Sequence, residues 1–320
     1  MKTPFLNRRE ALQYISGLAV GATALYGASA SASAVIRFGE EHEGEQRGIK
    51  VEKLTDDISL LIGVGGNIAV LVGKEGVLQI DAGNPGTSPQ QVAGLKELTD
   101  KPVTTLINTH WHGDHTGGNA DMAKAGSRIF AHDNTRKRLS SEQFIEAFNS
   151  KVPASPEIAL PILTFNRRMT LYHGGEELHM TNVPPAHTDT DIFIHFVKAN
   201  VLHAGDLFFN GMYPFIDSST KGWIGGMVGA ADKILAVVND KTKIIPGHGP
   251  LATKEQFKQY RDMLVTVHER ITPLVKSGKS VEDTVAAKPL ADLDDKWGKG
   301  FMKPDVFVKI VYGGIKKFGM

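Results

Sequence analysis

The chain has 320 residues, of which 41% are hydrophobic and 22% charged, and it contains twelve histidines and no cysteine. This composition supports a folded protein of one or two domains and excludes disulfides, a thiol nucleophile, an iron–sulfur cluster and any thiolate zinc site. A formal charge of +1 provides no global field that would attract nucleic acid. Imidazole and carboxylate groups must therefore supply the ligands of any bound metal.

The first 34 residues form a pattern that is typical of an export signal. Arg8 and Arg9 precede an uncharged stretch over 11–34, which is rich in Ala, Gly and Ser. The arginine pair predicts the twin-arginine type, which marks proteins that are exported already folded. We expect the export machinery to recognise this signal and the signal to be cleaved near Ala34. The mature protein would then have no stable membrane insertion; an uncleaved membrane anchor is the alternative. Residues 35–320 are predicted to form one periplasmic domain.

Beyond Gly48 the pattern alternates between strands and helices, and a proline-rich segment over Val152–Ile162 predicts an irregular connection. The predicted strands are Ile58–Ile62, Asn67–Val72, Val77–Asp81, Val103–Asn108, Arg128–Ala131, Thr170–Tyr172, Leu178–Asn182, Ile192–Val197, Asn200–His203 and Lys243–Pro246. The predicted helices are Gln90–Thr99, Gly117–Ala125, Ser140–Phe148, Met227–Asn239, Lys254–Lys276 and Pro304–Ile315. Strands with helices on both sides indicate packed sheets covered by helices, an α/β or α+β layered domain.

The most informative segment of the sequence contains four potential metal ligands within six positions. They are His110, His112, Asp114 and His115. His110 and His112 are two residues apart, so an extended strand end points both side chains toward one ion. A turn at Gly113 then directs the other two toward a neighbouring point. The segment therefore offers ligands for two closely spaced metals.

This segment resembles the principal motif of the metallo-β-lactamase-fold hydrolase superfamily, and the later motifs of that superfamily follow in order. They are Pro185-Ala186-His187-Thr188-Asp189, His203-Ala204-Gly205-Asp206 and Pro246-Gly247-His248-Gly249-Pro250. The resemblance implies a four-layer αββα sandwich with a dinuclear metal site at the sheet edge. It implies one metal on His110, His112 and His187, a second on Asp114, His115 and His248, and Asp206 between them.

The ligand types narrow the chemistry. Nitrogen and oxygen ligands with three histidines on one ion suit zinc and also accept iron or manganese, so we expect two Zn2+ ions per chain. His112 stands where the diiron oxidoreductase relatives carry a glutamate, which favours hydrolysis. Asp206 stands where the best-known β-lactamases carry a cysteine, which argues against β-lactam hydrolysis. In this respect the chain resembles glyoxalase-II-like and lactonase-like members.

The predicted function is metal-dependent hydrolysis of a small carbonyl substrate, namely an ester, lactone, thioester or amide. Two cations would lower the pKa of a shared water toward neutrality and so produce the hydroxide that attacks the carbonyl. Asp114 would ligate the second metal and orient this nucleophile. Two alternatives stay open. One is a β-lactamase, and the other is a non-hydrolytic, iron-dependent redox or sulfur protein on the same fold.

Substrate selectivity is expected in loops around the metals. The candidates are Gly65–Asn67, the connection over Val152–Ile162, and the aromatic segment Phe208–Phe215. In the last of these, Asn210 or Tyr213 would be the polar group of an apolar pocket. Packing of the aromatic side chains into the helix layer is the alternative.

Other polar residues are interpreted as support for the ligands or for the fold. Asp81, His132 and His203 are candidates for outer hydrogen-bond partners of the ligands. His173 and His179 flank a glycine turn and are predicted to form local hydrogen bonds.

Overall fold

The structure, a computed structural model, describes residues 48–320. The predicted export signal over residues 1–34 lies outside these residues. Within 48–320, no helix combines the length and the apolar character needed to cross a membrane.

The first half of the described chain builds a seven-stranded sheet. Its strands are β1 (Lys50–Lys53), β2 (Ile58–Ile62), β3 (Ile68–Gly73), β4 (Gly76–Ile80), β5 (Val103–Ile107), β6 (Arg128–His132) and β9 (Leu163–Phe165). They lie in the order β1-β2-β3-β4-β5-β6-β9. Strands β1 to β4 pair antiparallel, whereas β4, β5, β6 and β9 pair parallel. The carboxyl ends of the parallel strands therefore meet at one edge of the sheet, where α/β folds place their sites.

The second half builds a five-stranded sheet. Its strands, in spatial order, are β10 (Arg168–His173), β11 (Glu176–Asn182), β12 (Ile192–Phe196), β13 (Val201–His203) and β14 (Lys243–Ile245). All neighbours pair antiparallel except β13 and β14, which pair parallel. A separate hairpin of β7 (Gln143–Ile145) and β8 (Ser150–Val152) lies between the two halves in sequence.

Nine α-helices occur within the described residues. They are α1 (Ser88–Lys96), α2 (Gly113–Thr116), α3 (Asn119–Lys124), α4 (Asp133–Leu139), α5 (Ile224–Leu235), α6 (Lys254–Lys276), α7 (Val281–Ala286), α8 (Asp294–Trp297) and α9 (Pro304–Phe318). The longest, α6, begins at a capping box in which the Thr253 side chain accepts from the Gln256 N–H and the Gln256 side chain accepts from the Thr253 N–H.

Successive side chains of a strand point to opposite faces of its sheet. The apolar side chains of the two sheets therefore fall into three layers. Leu60 of the first sheet and Ile194 of the second belong to the layer between the sheets. The adjacent Leu61 points the other way and packs with Leu95 of α1. On the outer face of the second sheet, Leu202 packs with the side chains of α5, α6 and α9. The order of layers is helices, sheet, sheet, helices, and it confirms the predicted four-layer fold.

The predicted helix over Ser140–Phe148 is wrong. The helix in this region, α4, ends at Leu139, and Ser140 is its C-cap. The residues that follow form the β7–β8 hairpin, which is held from outside by a hydrogen bond from the Glu146 N–H to the Ser219 hydroxyl at 2.9 Å. This contact joins residues far apart in sequence, so helical periodicity within a short window could not reveal it.

Candidate metal centre

The loops at one edge of the two sheets bring all seven predicted ligands together. Residues 108–115 follow β5, His187 lies between β11 and β12, Asp206 follows β13, and His248 follows β14. Two groups result, in each of which the ligand atoms lie within 4.8 Å of one another. Group one contains His110, His112, His187 and Asp206, and group two contains Asp114, His115 and His248.

Asp206 lies between the two groups and turns one carboxylate oxygen to each. Its Oδ2 atom is 3.7 Å from Nε2 of His110 and 3.4 Å from Nε2 of His187. Its Oδ1 atom is 3.1 Å from Nε2 of His115 and 3.4 Å from Nε2 of His248. This geometry fits the bridging position that the sequence motif predicts.

Several of these facing atoms are buried without a hydrogen-bond partner. They are Nε2 of His110, Nε2 of His115, both carboxylate oxygens of Asp114 and Oδ1 of Asp206. Six of the seven side chains are buried, and His248 keeps 16% of its side chain exposed. Because buried polar atoms without partners are costly, this convergence fits divalent cations that would satisfy them. The residues present are therefore able to hold metal ions.

Three of the histidines are held from behind through their outer ring nitrogen. Nδ1 of His110 contacts the Thr109 hydroxyl at 3.0 Å, Nδ1 of His115 contacts Asp81 at 2.8 Å, and Nδ1 of His187 contacts the Phe215 carbonyl at 2.8 Å. Each contact turns the other ring nitrogen, Nε2, toward the centre. Such outer partners fix the orientation and tautomer of a ligating imidazole.

Asp81 occupies the supporting position that the sequence analysis proposed for it. Its carboxylate accepts from the Thr109 N–H at 2.7 Å and from the Thr109 hydroxyl at 2.8 Å, in addition to its contact with His115. Its backbone adopts a positive φ of 67°, a region in which Asp and Asn are enriched. Asp81 therefore fixes the loop that carries the ligands as well as one ligand itself.

Sequence reasoning missed Asp217, and it missed the close packing of two glycines against the ligands. Oδ2 of Asp217 lies 3.2 Å from Nε2 of His112, but Asp217 is 105 residues away and no motif marks it. A Cβ atom at Gly66 would overlap the His115 ring, and one at Gly247 would overlap Oδ1 of Asp206. Glycine at both positions lets the backbone approach the ligands closely.

Burial keeps two histidines of group one neutral. It lowers the pKa of His110 well below the usual value for histidine, and it lowers the pKa of His187 to about 4. Neutral imidazole is the form that binds metal.

The histidines His115 and His248 of group two favour the charged form, in contrast to His110 and His187 of group one. Burial disfavours the charged form of His248, but the carboxylates of Asp206 and Asp114 outweigh it and raise its pKa to about 9. Burial is outweighed in the same way at His115, whose pKa lies well above its usual value. Although burial opposes ionisation of Asp114 and Asp206, the nearby histidines lower the pKa of both carboxyl groups. Both carboxylates are therefore ionised and suited to bind cations.

The prediction that Tyr213 supplies the polar group of a substrate pocket is wrong. Its ring is completely buried and stacks on Phe307 with centroids 4.4 Å apart, while its hydroxyl donates to Asp294 at 2.9 Å. Asn210 also supports the fold. Its Nδ2 donates to the Pro250 carbonyl at 2.8 Å, and its backbone N–H donates to the carbonyl of His248 at 2.9 Å.

Other aromatic side chains of the same segment do reach the ligands. The ring of Phe209 stacks on His248 at 5.1 Å between centroids. The Phe215 ring lies 5.7 Å from that of His112 and 5.8 Å from that of His187. Both phenylalanines are buried, so they pack behind the imidazoles as an apolar wall.

The Gly65–Asn67 loop is a structural junction. Asn67 is buried and donates its Nδ2 to the carbonyls of Pro246 and Gly249, both at 2.9 Å. Its backbone N–H donates to the Gly247 carbonyl at 2.8 Å, and its own carbonyl contacts Nε2 of His203 at 3.0 Å. These contacts join the first sheet to the loop that carries His248.

The remaining histidines lie outside the two groups. His203 supports the chain before Asp206, since its Nδ1 accepts from the Gly205 N–H at 3.1 Å. His132 caps α4 through its ring and contacts the Asn166 carbonyl, so it does not support a ligand. The local hydrogen bond predicted for His173 is wrong, because its Nε2 contacts the distant Gly76 carbonyl at 3.0 Å. His179 does bond locally, to Glu177 at 2.7 Å.

Comparison with known proteins points to one family. A model of the family described as the metallo-beta-lactamase superfamily matches residues 61–249, more than half of the chain, and this range contains all seven clustered residues. The 2,4-dinitroanisole O-demethylase subunit alpha of Nocardioides sp. (strain JS1661) is 23% identical over 244 residues, which cover 74% of this chain and 70% of that protein.

Two further proteins are similar over smaller parts of one chain or the other. The hydroxyacylglutathione hydrolase of Nitrosococcus oceani is 27% identical over 149 residues, which cover 46% of this chain and 48% of that protein. The solved structure of a metallo-beta-lactamase from Pontibacter korlensis matches with a TM-score of 0.57 and 18% identity, covering 68% of this chain and 98% of that one. This structural match supports the fold.

Proposed function

Since the chain belongs to the metallo-beta-lactamase superfamily, we propose that it is a metal-dependent hydrolase of a small carbonyl substrate, namely an ester, lactone, thioester or amide. The observation that carries the proposal is the pair of buried ligand groups that face each other across Asp206, with five ligand atoms that are buried without a hydrogen-bond partner. The similarity to a hydroxyacylglutathione hydrolase supports a hydrolytic reaction.

We propose that the centre binds two Zn2+ ions. Group one would hold one ion and group two the other, with Asp206 between them; the same nitrogen and oxygen atoms also suit iron or manganese. Divalent cations bound there would supply Lewis acidity, lowering the pKa of water toward neutrality and polarising a carbonyl group.

Asp114 is the residue that we propose to act on the reacting water. Its Oδ2 atom faces the imidazoles of His115 and His248 at 3.3 and 3.2 Å. Its Oδ1 atom lies outside these contacts and has no hydrogen-bond partner. Because the lowered pKa keeps this carboxyl group ionised, Oδ1 would accept a hydrogen bond from the water and orient it toward the carbonyl carbon.

The proposed function is tested by metal analysis combined with a panel of activated ester, lactone, thioester and β-lactam substrates. We expect about two metal ions per chain and chelator-sensitive hydrolysis of an ester, lactone or thioester. His112→Ala should abolish the activity. His195→Ala is the matched control, since this half-buried histidine lies outside both groups.

Three outcomes would contradict the proposal. Full activity of the His112→Ala variant would exclude the centre as the site of reaction. Turnover of β-lactams alone would select the β-lactamase alternative. A single iron per chain, with oxygen consumption and no hydrolysis across the panel, would select the redox alternative.

We also propose that residues 1–34 are a twin-arginine signal that directs the folded protein to the periplasm. The support is the Arg8-Arg9 pair, the uncharged stretch after it and the small residues before Ala34. Amino-terminal sequencing of the protein from a periplasmic fraction should give a start just after Ala34. Unchanged export after replacement of both arginines by lysine would overturn the proposal.

A further inference from the structure

Asp217 places a buried carboxylate directly behind the group-one ligand His112. It lies in the segment between β13 and α5 and is 1% exposed. Its Oδ2 atom is 3.2 Å from Nε2 of His112 and accepts from the Thr220 hydroxyl at 2.7 Å. Its Oδ1 atom accepts from the Ser219 N–H at 2.9 Å. Both oxygens are thus fixed, so the carboxylate cannot turn away from the imidazole.

The contact with Asp217 determines which nitrogen of His112 carries a proton. An ionised carboxylate only accepts hydrogen bonds, so Nε2 of His112 must be the protonated nitrogen. The carboxylate is also held as an acceptor by its two other contacts, the Thr220 hydroxyl and the Ser219 N–H. The other ring nitrogen, Nδ1, is then the unprotonated one, and it faces the other side chains of group one.

The two inner nitrogens of group one face each other closely. Nδ1 of His112 lies 2.9 Å from Nε2 of His187. Because the Phe215 carbonyl accepts from Nδ1 of His187, its Nε2 also presents an electron pair. Two electron pairs at this distance repel unless a proton or a cation lies between them. In the metal-free protein a shared proton can satisfy this pair, and a bound cation would replace that proton.

Asp217 also differs in charge from the other outer partners in group one. The outer nitrogen of His110 contacts the neutral Thr109 hydroxyl, and that of His187 contacts the neutral Phe215 carbonyl. Among the described residues, His112 is the group-one histidine that is backed directly by a carboxylate. A negative charge behind an imidazole raises its basicity as a ligand.

We propose that Asp217 is a positioning residue of the metal centre, which holds His112 in the tautomer whose Nδ1 binds the cation. This inference rests on the proposed metal-binding function of group one. The carboxylate acts through His112 and needs no contact with substrate. Its loss should therefore weaken metal binding.

The test compares Asp217→Asn with Thr220→Val in the full chain. Asparagine keeps the size but replaces one acceptor by a donor and removes the charge. The valine variant removes a hydrogen bond to the same carboxylate and leaves its charge in place. Competition with a chromophoric chelator should show zinc affinity about 10–100-fold weaker in Asp217→Asn and much less changed in Thr220→Val. Equal affinities of wild type and Asp217→Asn would overturn the inference.

A second measurement needs no variant and does not depend on how well Asp217→Asn folds. In zinc-loaded wild-type protein labelled with 15N-histidine, nuclear magnetic resonance should show a protonated Nε2 and a coordinated Nδ1 on His112. Coordination through Nε2 would overturn the inference.

These results also separate the inference from the proposed function. Failure of the wild type to bind any metal would overturn both. Metal loss in His112→Ala together with normal binding in Asp217→Asn would overturn the role of Asp217 alone.

Discussion

The Oδ2 atom of Asp81 lies 2.8 Å from Nδ1 of His115, and both side chains are completely buried. The same oxygen accepts from the Thr109 hydroxyl, which contacts Nδ1 of His110. One carboxylate thus supports a histidine of each ligand group. Asp81→Asn keeps the size of the side chain and tolerates the positive φ but removes the charge. We expect zinc affinity to fall about 10–100-fold, as measured by competition with a chromophoric chelator.

The control for this prediction is Asp121→Asn. Asp121 is a half-exposed acid on α3 that contacts Ser88 and Lys124 and lies outside both ligand groups. Its replacement should leave zinc affinity unchanged. If both variants bound zinc as tightly as the wild type, the supporting function of Asp81 would be wrong.

Gly66→Ala should damage the centre, whereas Gly113→Ala should not. A methyl group at Gly66 would overlap the ring of His115, so the ring or the loop must shift. At Gly113 a Cβ atom would meet no atom within 4 Å and the backbone φ is not positive. Metal content and esterase activity of the two purified variants check this difference. Equal losses in both would show that the motif needs glycine at Gly113 as well.

Replacing Asn67 should destabilise the protein. Asn67→Ala leaves the buried carbonyl of Pro246 and the part-buried carbonyl of Gly249 without this donor, at a cost of about 1–3 kcal/mol for a group that stays buried. Asn67→Asp should be at least as harmful, since a carboxylate cannot donate to a carbonyl. Urea unfolding of the metal-free variants measures the loss. A change in unfolding free energy no larger than that of an exposed variant such as Lys241→Ala would contradict the prediction.

Metal binding should release protons from group two and few from group one. The raised pKa values of His115 and His248 keep both imidazoles protonated at pH 7 in the metal-free protein, and a ligand must lose its proton to bind. His110 and His187 have lowered pKa values and are already neutral. Affinity for the group-two ion should therefore increase as the pH rises through about 9, the pKa of His248.

Calorimetric titration in buffers of different ionisation enthalpy measures this release. On metal binding, His248→Ala should release fewer protons than the wild type, and it should lose the group-two ion. Proton release that is the same in both proteins would contradict the assignment of the charged histidines to group two.

The metal ligands were predictable because their signals are local. His110, His112, Asp114 and His115 lie within six residues, and each later ligand lies within a recognisable motif. Strand ends can place such motifs at one sheet edge, and the resemblance to the metallo-β-lactamase-fold superfamily supplied the assignment of His187, Asp206 and His248 as ligands. The layered fold followed from the same alternation of strands and helices.

The parts that were missed depend on contacts between distant segments. Asp217 lies in an irregular stretch, and its contact with His112 spans 105 residues. The β7–β8 hairpin is fixed by Ser219, which a local window cannot include. Tyr213 follows the Asp206 motif closely, but its position is decided by stacking on Phe307 of the last helix. In each of these cases tertiary packing overrode the local pattern.

The division of the ligands between the two sheets has a consequence for the order of folding. Residues 108–115 belong to the first sheet, whereas His187, Asp206 and His248 belong to loops of the second. Neither ligand group is complete until the two sheets have docked, and group two also needs the segment after β14. Tight metal capture must therefore be a late event that follows docking and then holds the sheets together. The free energy of metal binding is added to the stability of the docked state. Chelators should therefore lower the unfolding free energy of the whole protein as well as abolish its activity.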